Sequence, residues 1–285
     1  MGDSLIRPYL QIMRLDRPIG SLLLLWPTLW ALWLAGDGSP DPVIVLIFVT
    51  GTLVMRSAGC VINDWADRDI DGKVARTRNR PLAAGTLSSR QALGLFFALL
   101  GIALLLVLQL NTLAIKVSFF AAIIAVVYPF TKRFTDAPQL FLGIAFSMGI
   151  PMAFAALTNS VPVEAWIMFA ANFMWIVAYD TQYAMSDRPD DIKAGIRSTA
   201  ILFGPYDNLI VGGLQVLFVG IMVLLGMRLG MTTPYYLGLI VASGFLVYQQ
   251  WLCRDREPAK CLRAFFNNNW VGAVIYCGLF VALVL

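Results

Sequence analysis

At 285 residues the chain has room for one sizeable domain. It is 59% hydrophobic and only 13% charged, against about 25% charged in an average soluble domain, so it reads as a polytopic protein of the lipid bilayer with no nucleic acid among its partners. There is no histidine, which removes the usual general base near neutral pH. The cysteines Cys60, Cys253, Cys261 and Cys277 form no CxxC pair, which argues against a zinc site and for small buried side chains.

The opening Met1 to Arg17 is polar and basic, without a small-residue cleavage site, so the apolar run after it is expected to be a first membrane helix rather than a signal peptide. About 20 apolar residues cross a bilayer. By that measure about nine spans are expected: 19–35, 43–61, 92–110, 113–130, 139–157, 163–179, 209–227, 235–252 and 270–285. Pro18, Pro27, Pro129, Pro151 and Pro234 are candidate kinks or helix ends. Of the 21 Lys and Arg, all but Arg56, Lys116 and Arg228 fall in connections on one side. The positive-inside rule then places the N-terminus on the cytoplasmic face, and an odd number of spans puts the C-terminus outside.

Two acidic clusters interrupt the apolar pattern. The first runs Asn63-Asp64-Trp65-Ala66-Asp67-Arg68-Asp69-Ile70-Asp71 and closes the second span. The second closes the sixth span and contains Asp180, Tyr183, Asp187, Asp190 and Asp191. Asp67/Asp71 and Asp187/Asp191 are both i, i+4 pairs, so each presents two carboxylates on one helix face. Four spans separate the clusters, which places both on the cytoplasmic side. The pattern reads as one integral domain, 1–285, with a weak four-helix repeat (roughly 19–130 and 139–252) and a ninth helix appended.

Three chemistries compete for the first cluster. An EF-hand loop starting at Asp67 needs a bidentate Glu at its twelfth position, where the chain has Arg78. A CDP-alcohol phosphotransferase signature needs further aspartates where Ser89 and Leu93 stand, and it leaves Asp187 and Asp191 unused. The third reading uses both clusters. Mg²⁺ prefers one or two carboxylates with waters and substrate phosphates, so two carboxylate faces suit two Mg²⁺ ions gripping one diphosphate. A transporter would gather its polar groups near the bilayer midplane, whereas these lie at one side.

The paired motifs resemble those of the intramembrane aromatic prenyltransferases. Further likeness lies in Arg14-Leu15-Asp16-Arg17-Pro18-Ile19-Gly20, Asn79-Arg80-Pro81-Leu82-Ala83-Ala84-Gly85, Asp180-Thr181-Gln182-Tyr183-Ala184-Met185 and Lys193-Ala194-Gly195-Ile196-Arg197-Ser198-Thr199-Ala200, over nearly the whole chain. These segments are most similar to the bacterial branch that serves ubiquinone biosynthesis. The resemblance implies an all-α membrane bundle around a central cavity open to the cytoplasm, in the bacterial inner membrane. It also implies transfer of a polyprenyl group from polyprenyl diphosphate to the carbon ortho to the phenol of 4-hydroxybenzoate, with Mg²⁺. By position, Asn63, Asp67, Asp71, Asp187 and Asp191 would be metal and diphosphate residues. Tyr128 and Lys132 match the family's Y-xxx-K pair, with Arg133 beside it at a substrate-binding position, and Tyr183 precedes the second pair.

Other residues stand on physical grounds. Arg56 lies within the second span, about two turns before Asn63. An intramembrane Arg is expensive and faces a bundle interior, and its fork suits a carboxylate, a phosphate or a buried acid partner. Arg14 and Arg17 sit at the mouth beside the first span, as candidate substrate contacts. Asp64, Asp69 and Asp190 fall off the shared faces and are expected to support the site or meet solvent. Arg68, Lys73, Arg76, Arg78, Arg80, Arg188, Lys193 and Arg197 read mostly as ordinary positive-inside residues.

Overall fold

The computed structural model describes residues 2–72, 77–131 and 134–284, and no strand occurs among them. Twelve α-helices follow in order: α1 Gly2–Ile12, α2 Ile19–Ala35, α3 Pro42–Asp71, α4 Ser89–Val107, α5 Thr112–Thr131, α6 Pro138–Ser147, α7 Gly149–Thr158, α8 Val163–Ala194, α9 Thr199–Phe203, α10 Asp207–Leu229, α11 Thr233–Cys253 and α12 Pro258–Val284. A 3₁₀ turn, Gly204–Tyr206, joins α9 to α10. Six helical stretches are long and apolar enough to cross a membrane, and two shorter apolar helices, Ile19–Ala35 and Thr112–Tyr128, accompany them. α8 is not among the six, because Glu164, Asn172 and Asp180 interrupt its apolar run.

Every expected span carries helix, with three differences. Residues 139–157 form two helices, α6 and α7, that part at Met148. Pro151 lies just past the break and has no N–H to give the carbonyl of Ser147. The last span starts earlier than 270, since α12 begins at Pro258. The polar N-terminal segment is itself helical as α1. Its Ile12 is fully buried against Ala58, Val61, Leu87 and Phe96 from α3, α4 and the loop between them. Pro18 and Pro234 stand at helix starts.

Lipid tails are as apolar as leucine, so such helices associate through close packing and shared hydrogen bonds. α11 and α12 meet at Gly238 and Gly278, where a β-carbon on Gly238 would come within 2.9 Å of the Val274 carbonyl oxygen. Trp175 stacks on Trp30 and Phe218 at 5.3 and 5.5 Å between ring centres, pinning α8 to α2 and α10. A buried amide chain ties the second half together. Gln182 and Gln215 both donate to Gln249, and Asn268 links Gln182 to the Trp175 indole.

Two helices set the site. α3 has 30 residues and α8 has 32, so at 1.5 Å per residue they run to about 45 Å and 48 Å, beyond the roughly 30 Å of a hydrocarbon core. Their excess length carries the acidic clusters out of the apolar layer. Both clusters therefore sit on continuous helix, which keeps each i, i+4 pair on one face. Gly195 stops α8 directly after the second cluster. It adopts φ +67°, and the N–H of Ile196 donates to the Asp191 carbonyl at 2.9 Å, closing the last turn.

Candidate active site

One cavity of about 1290 Å³ opens within the bundle, lined by residues of α2 to α8 and of α12. Its body is apolar, lined by Leu23, Leu100, Leu104, Phe119, Ala122, Leu142 and Met152. Its other end is polar. α3 contributes a stripe of Arg56, Asn63, Asp67 and Asp71, spaced so that each returns to the same side of the helix. α8 contributes Asp180, Tyr183, Asp187 and Asp191 on a matching stripe. Tyr128 of α5 lines the same space, as do Arg14 and Arg17 from the connection between α1 and α2. The structure thus brings together all the expected site residues that lie within the described chain. Lys132 and Arg133 fall outside the described residues.

The first acidic face is held by arginines. The Arg14 Nη2 lies 3.0 Å from both carboxylate oxygens of Asp64. The Arg80 Nη1 lies 3.1 Å from Asp64 and 2.9 Å from Asp71. Thr77 donates to the Asp71 carbonyl at 2.9 Å, which brings the chain after α3 back over the helix end and carries Arg80 inward. Burial works against the charge of Arg80, but the carboxylates of Asp64 and Asp71 outweigh it and hold its pKa above the ordinary guanidinium value. Arg80 stays a cation on the cavity wall.

These contacts narrow one expectation and correct another. Of the two places open to Asp64, the structure gives the inner one: only 2% of its side chain is exposed and it lines the cavity. Arg80 is not a free positive-inside residue, being 15% exposed and doubly paired. Asp69 and Asp190 do face outward, pairing at the surface with Arg68 and Lys193. Arg188 also departs from the bland reading. It pairs with the fully buried Asp207 at 2.9 Å and donates to the carbonyls of Ala200 and Gly204. Asp180 had no assigned role, although its place two turns before Asp187 on one helix face was readable.

Arg56 lies against α2. A β-carbon on Gly20 would come within 2.6 Å of its Nη2, so only glycine leaves that space to the guanidinium. Its Nε is buried without a hydrogen-bond partner among the described residues. The described residues hold no group of three acidic or thiol side chains closing on one point. What they offer instead is two carboxylate pairs across a shared space, a donor set that fits Mg²⁺ with water and phosphate oxygens completing its shell.

Comparison with known proteins settles the family. The pattern of the UbiA prenyltransferase family matches residues 24–271. The chain belongs to the UbiA prenyltransferase family. A 4-hydroxybenzoate octaprenyltransferase of Aliivibrio fischeri is 54% identical over 279 residues, covering 98% of both chains. One from Vibrio cholerae is 55% identical over 277 residues, covering 97% of this chain and 98% of its own. Among solved structures, a UbiA homologue from Aeropyrum pernix superposes with a TM-score of 0.81 at 24% identity, covering 92% of this chain and 98% of its own. A UbiA homologue from Archaeoglobus fulgidus, solved with GPP and Mg²⁺, superposes at 0.75 with 18% identity, covering 98% of this chain and all of its own. The UbiA fold is therefore shared with both, across low sequence identity.

Proposed function

We propose that this UbiA-family protein transfers a polyprenyl group from polyprenyl diphosphate to the ring carbon ortho to the phenol of 4-hydroxybenzoate. The observation that carries this reading is the pairing of two carboxylate faces, from α3 and α8, at the polar end of one apolar cavity. The names of the A. fischeri and V. cholerae relatives support the acceptor.

Asp67 and Asp71 on one side and Asp187 and Asp191 on the other would hold Mg²⁺, with Asn63 and Tyr183 alongside. The metal would neutralise the charge that builds on the departing diphosphate. Lys132, Arg133, Tyr128, Arg14 and Arg17 are assigned to the substrate's polar parts, and Arg56 to the acceptor carboxylate. The allylic C–O bond breaks, the diphosphate leaves with its electron pair, and the activated ring carbon forms the new C–C bond. The ring proton then passes to a carboxylate or to the released diphosphate. The apolar walls hold the lipid tail and keep water from the allylic cation, while the cavity fixes both reactants in contact.

The same reading assigns about nine spans in the bacterial inner membrane, arranged as a four-helix repeat with one helix appended. The N-terminus and the cavity mouth face the cytoplasm, and the C-terminus lies outside. The Glu164–Arg228 pair supports a mouth at one face. Glu164 lies 23 residues before Asp187 on α8, about 35 Å away along the axis, so the charged groups of α8 mark opposite faces.

The test is prenyl transfer from a long prenyl diphosphate to radiolabelled 4-hydroxybenzoate in membranes, with Mg²⁺ or with EDTA. Mg²⁺-dependent label in the lipid phase is expected, and its loss by at least about a hundredfold in Asp67→Ala and in Asp191→Ala, the scale of removing one electrostatic stabiliser. Full activity in both variants would sink the metal role, and transfer only to another aromatic acid would move the acceptor.

A further inference from the structure

A buried hydroxyl without a partner costs stability, so nearly all buried polar groups are hydrogen-bonded. The aromatic residues of this bundle follow that rule. The Tyr235 hydroxyl donates to the Met222 carbonyl at 2.7 Å. The Trp30 indole donates to the Gly272 carbonyl, the Trp175 indole to Asn268 and the Trp26 indole to Asn269. Tyr179 breaks the rule. It is 2% exposed and its hydroxyl has no hydrogen-bond partner among the described residues, yet it lines the cavity. A phenylalanine would fill the same space without the penalty, so the hydroxyl is retained for something the fold does not need.

Its place narrows the choice. Tyr179 lies one turn before Tyr183 and two turns before Asp187, inward of the carboxylates of α8. Arg56 lies about one turn deeper on α3, some three turns inward of Asp67. Both line the same cavity. The Tyr179 ring cannot swing away, because Trp175 and Phe265 pack on it at 5.4 and 5.9 Å in edge-on arrangements. Below the acidic rim the cavity therefore presents a cation from one wall and an unsatisfied hydroxyl from another. That pair is complementary to a small aromatic acid with a hydroxyl at its far end.

We propose that the Tyr179 hydroxyl is the hydrogen-bond partner of the acceptor's phenolic hydroxyl, with the acid's carboxylate on Arg56. The proposal rests on the acceptor reading given above and adds the residue that selects for the hydroxyl. A tyrosine hydroxyl both donates and accepts. A site built to bond a substrate hydroxyl rejects the analogue that lacks it, because its own polar group is then left unpaired.

The test is calorimetric titration of the full chain in detergent with 4-hydroxybenzoate and with benzoate. The native protein should bind 4-hydroxybenzoate more tightly than benzoate. Tyr179→Phe should lose about tenfold for 4-hydroxybenzoate and nothing for benzoate, the scale of one hydrogen bond, whereas Arg56→Gln should weaken both. In the transfer assay, Tyr179→Phe should raise KM for the acceptor and leave KM for prenyl diphosphate unchanged, and its melting temperature should hold or rise. Equal losses for both acids, no loss for either, or a native protein indifferent to the hydroxyl would overturn the assignment. A native protein that transfers no prenyl group to 4-hydroxybenzoate would instead overturn the acceptor reading, and this proposal with it.

Discussion

Each half of the molecule carries a buried aspartate gripped by two arginines, and the two arrangements do different work. In the first half Arg14 and Arg80 hold Asp64; in the second, Arg188 and Arg256 hold Asp207, each at 2.9 Å. The outer arginine of each trio follows a helix end in the left-handed region, Arg14 at φ 58° and Arg256 at φ 54°. Non-glycine residues reach that region only at a cost of about 1–2 kcal/mol, so the ion pairs hold the backbone there. The surroundings differ. Arg14, Asp64 and Arg80 all line the cavity, and Arg80 reaches on to Asp71. Arg188 and Arg256 spend their remaining donors on the carbonyls of Ala200, Gly204 and Pro205. The first trio presents its cations to the cavity, where the proposed reading puts a phosphate; the second fastens the end of α8 to the start of α10. Identical ion-pair chemistry thus serves a cavity wall or a helix junction according to what the unused donors face.

The largest expected effect breaks the second trio. Asp207 is fully buried, and removing one partner of a buried ion pair leaves the others uncompensated. Asp207→Asn should cost about 3 kcal/mol in thermal unfolding, at the low end for such losses because Arg256 is partly exposed. The KM values of the protein that remains folded should be unchanged. A raised KM for prenyl diphosphate with unaltered melting would show that this trio acts on substrate after all. The next effect belongs to the first trio. Arg80→Ala should lower kcat/KM for prenyl diphosphate about fiftyfold, roughly 2.3 kcal/mol, and Arg80→Lys should recover only part, since an ammonium restores charge but not the fork. If Arg80→Ala lost stability but not kcat/KM, the two trios would be equivalent and the contrast would fail.

The sequence made one layer of this legible and hid the other. The carboxylate faces could be read because helical periodicity fixes which side chains share a side, and α3 and α8 are unbroken through both clusters. The spans could be read because apolar runs of bilayer length have few alternatives. The trios could not. Arg14 lies 50 residues from Asp64, and Arg256 lies 49 from Asp207, so no local spacing links them. Arg80 meets Asp71 from nine residues further on, beside the Thr77 hydrogen bond to the same helix end, and the adjacent Arg78 carries the same charge, so no local spacing marks the difference beforehand. The helix of α1 was obscured by its polar composition, and the break at Met148 by an apolar run that continues across it. Asp180 is the exception, since extending the α8 stripe one more turn inward would have found it.

The smallest expected effect tests whether the second trio and the glycine that ends α8 form one device. At φ +67° an alanine at Gly195 meets no neighbour within 4 Å, so Gly195→Ala carries backbone strain alone, about 1 kcal/mol. Arg188 lies seven residues earlier on α8 and anchors the same end to Asp207, which Arg256 holds from the far side. If the trio keeps the last turns of α8 in place, Gly195→Ala should cost its strain with the trio intact, and less once Arg256→Ala lets that end relax. The two losses would then fail to add in a double-mutant cycle by thermal unfolding, as they do for groups acting on one element. Strict additivity would mean that the packing of α8 against α10 holds the helix end, leaving the second trio to anchor only the α10 side.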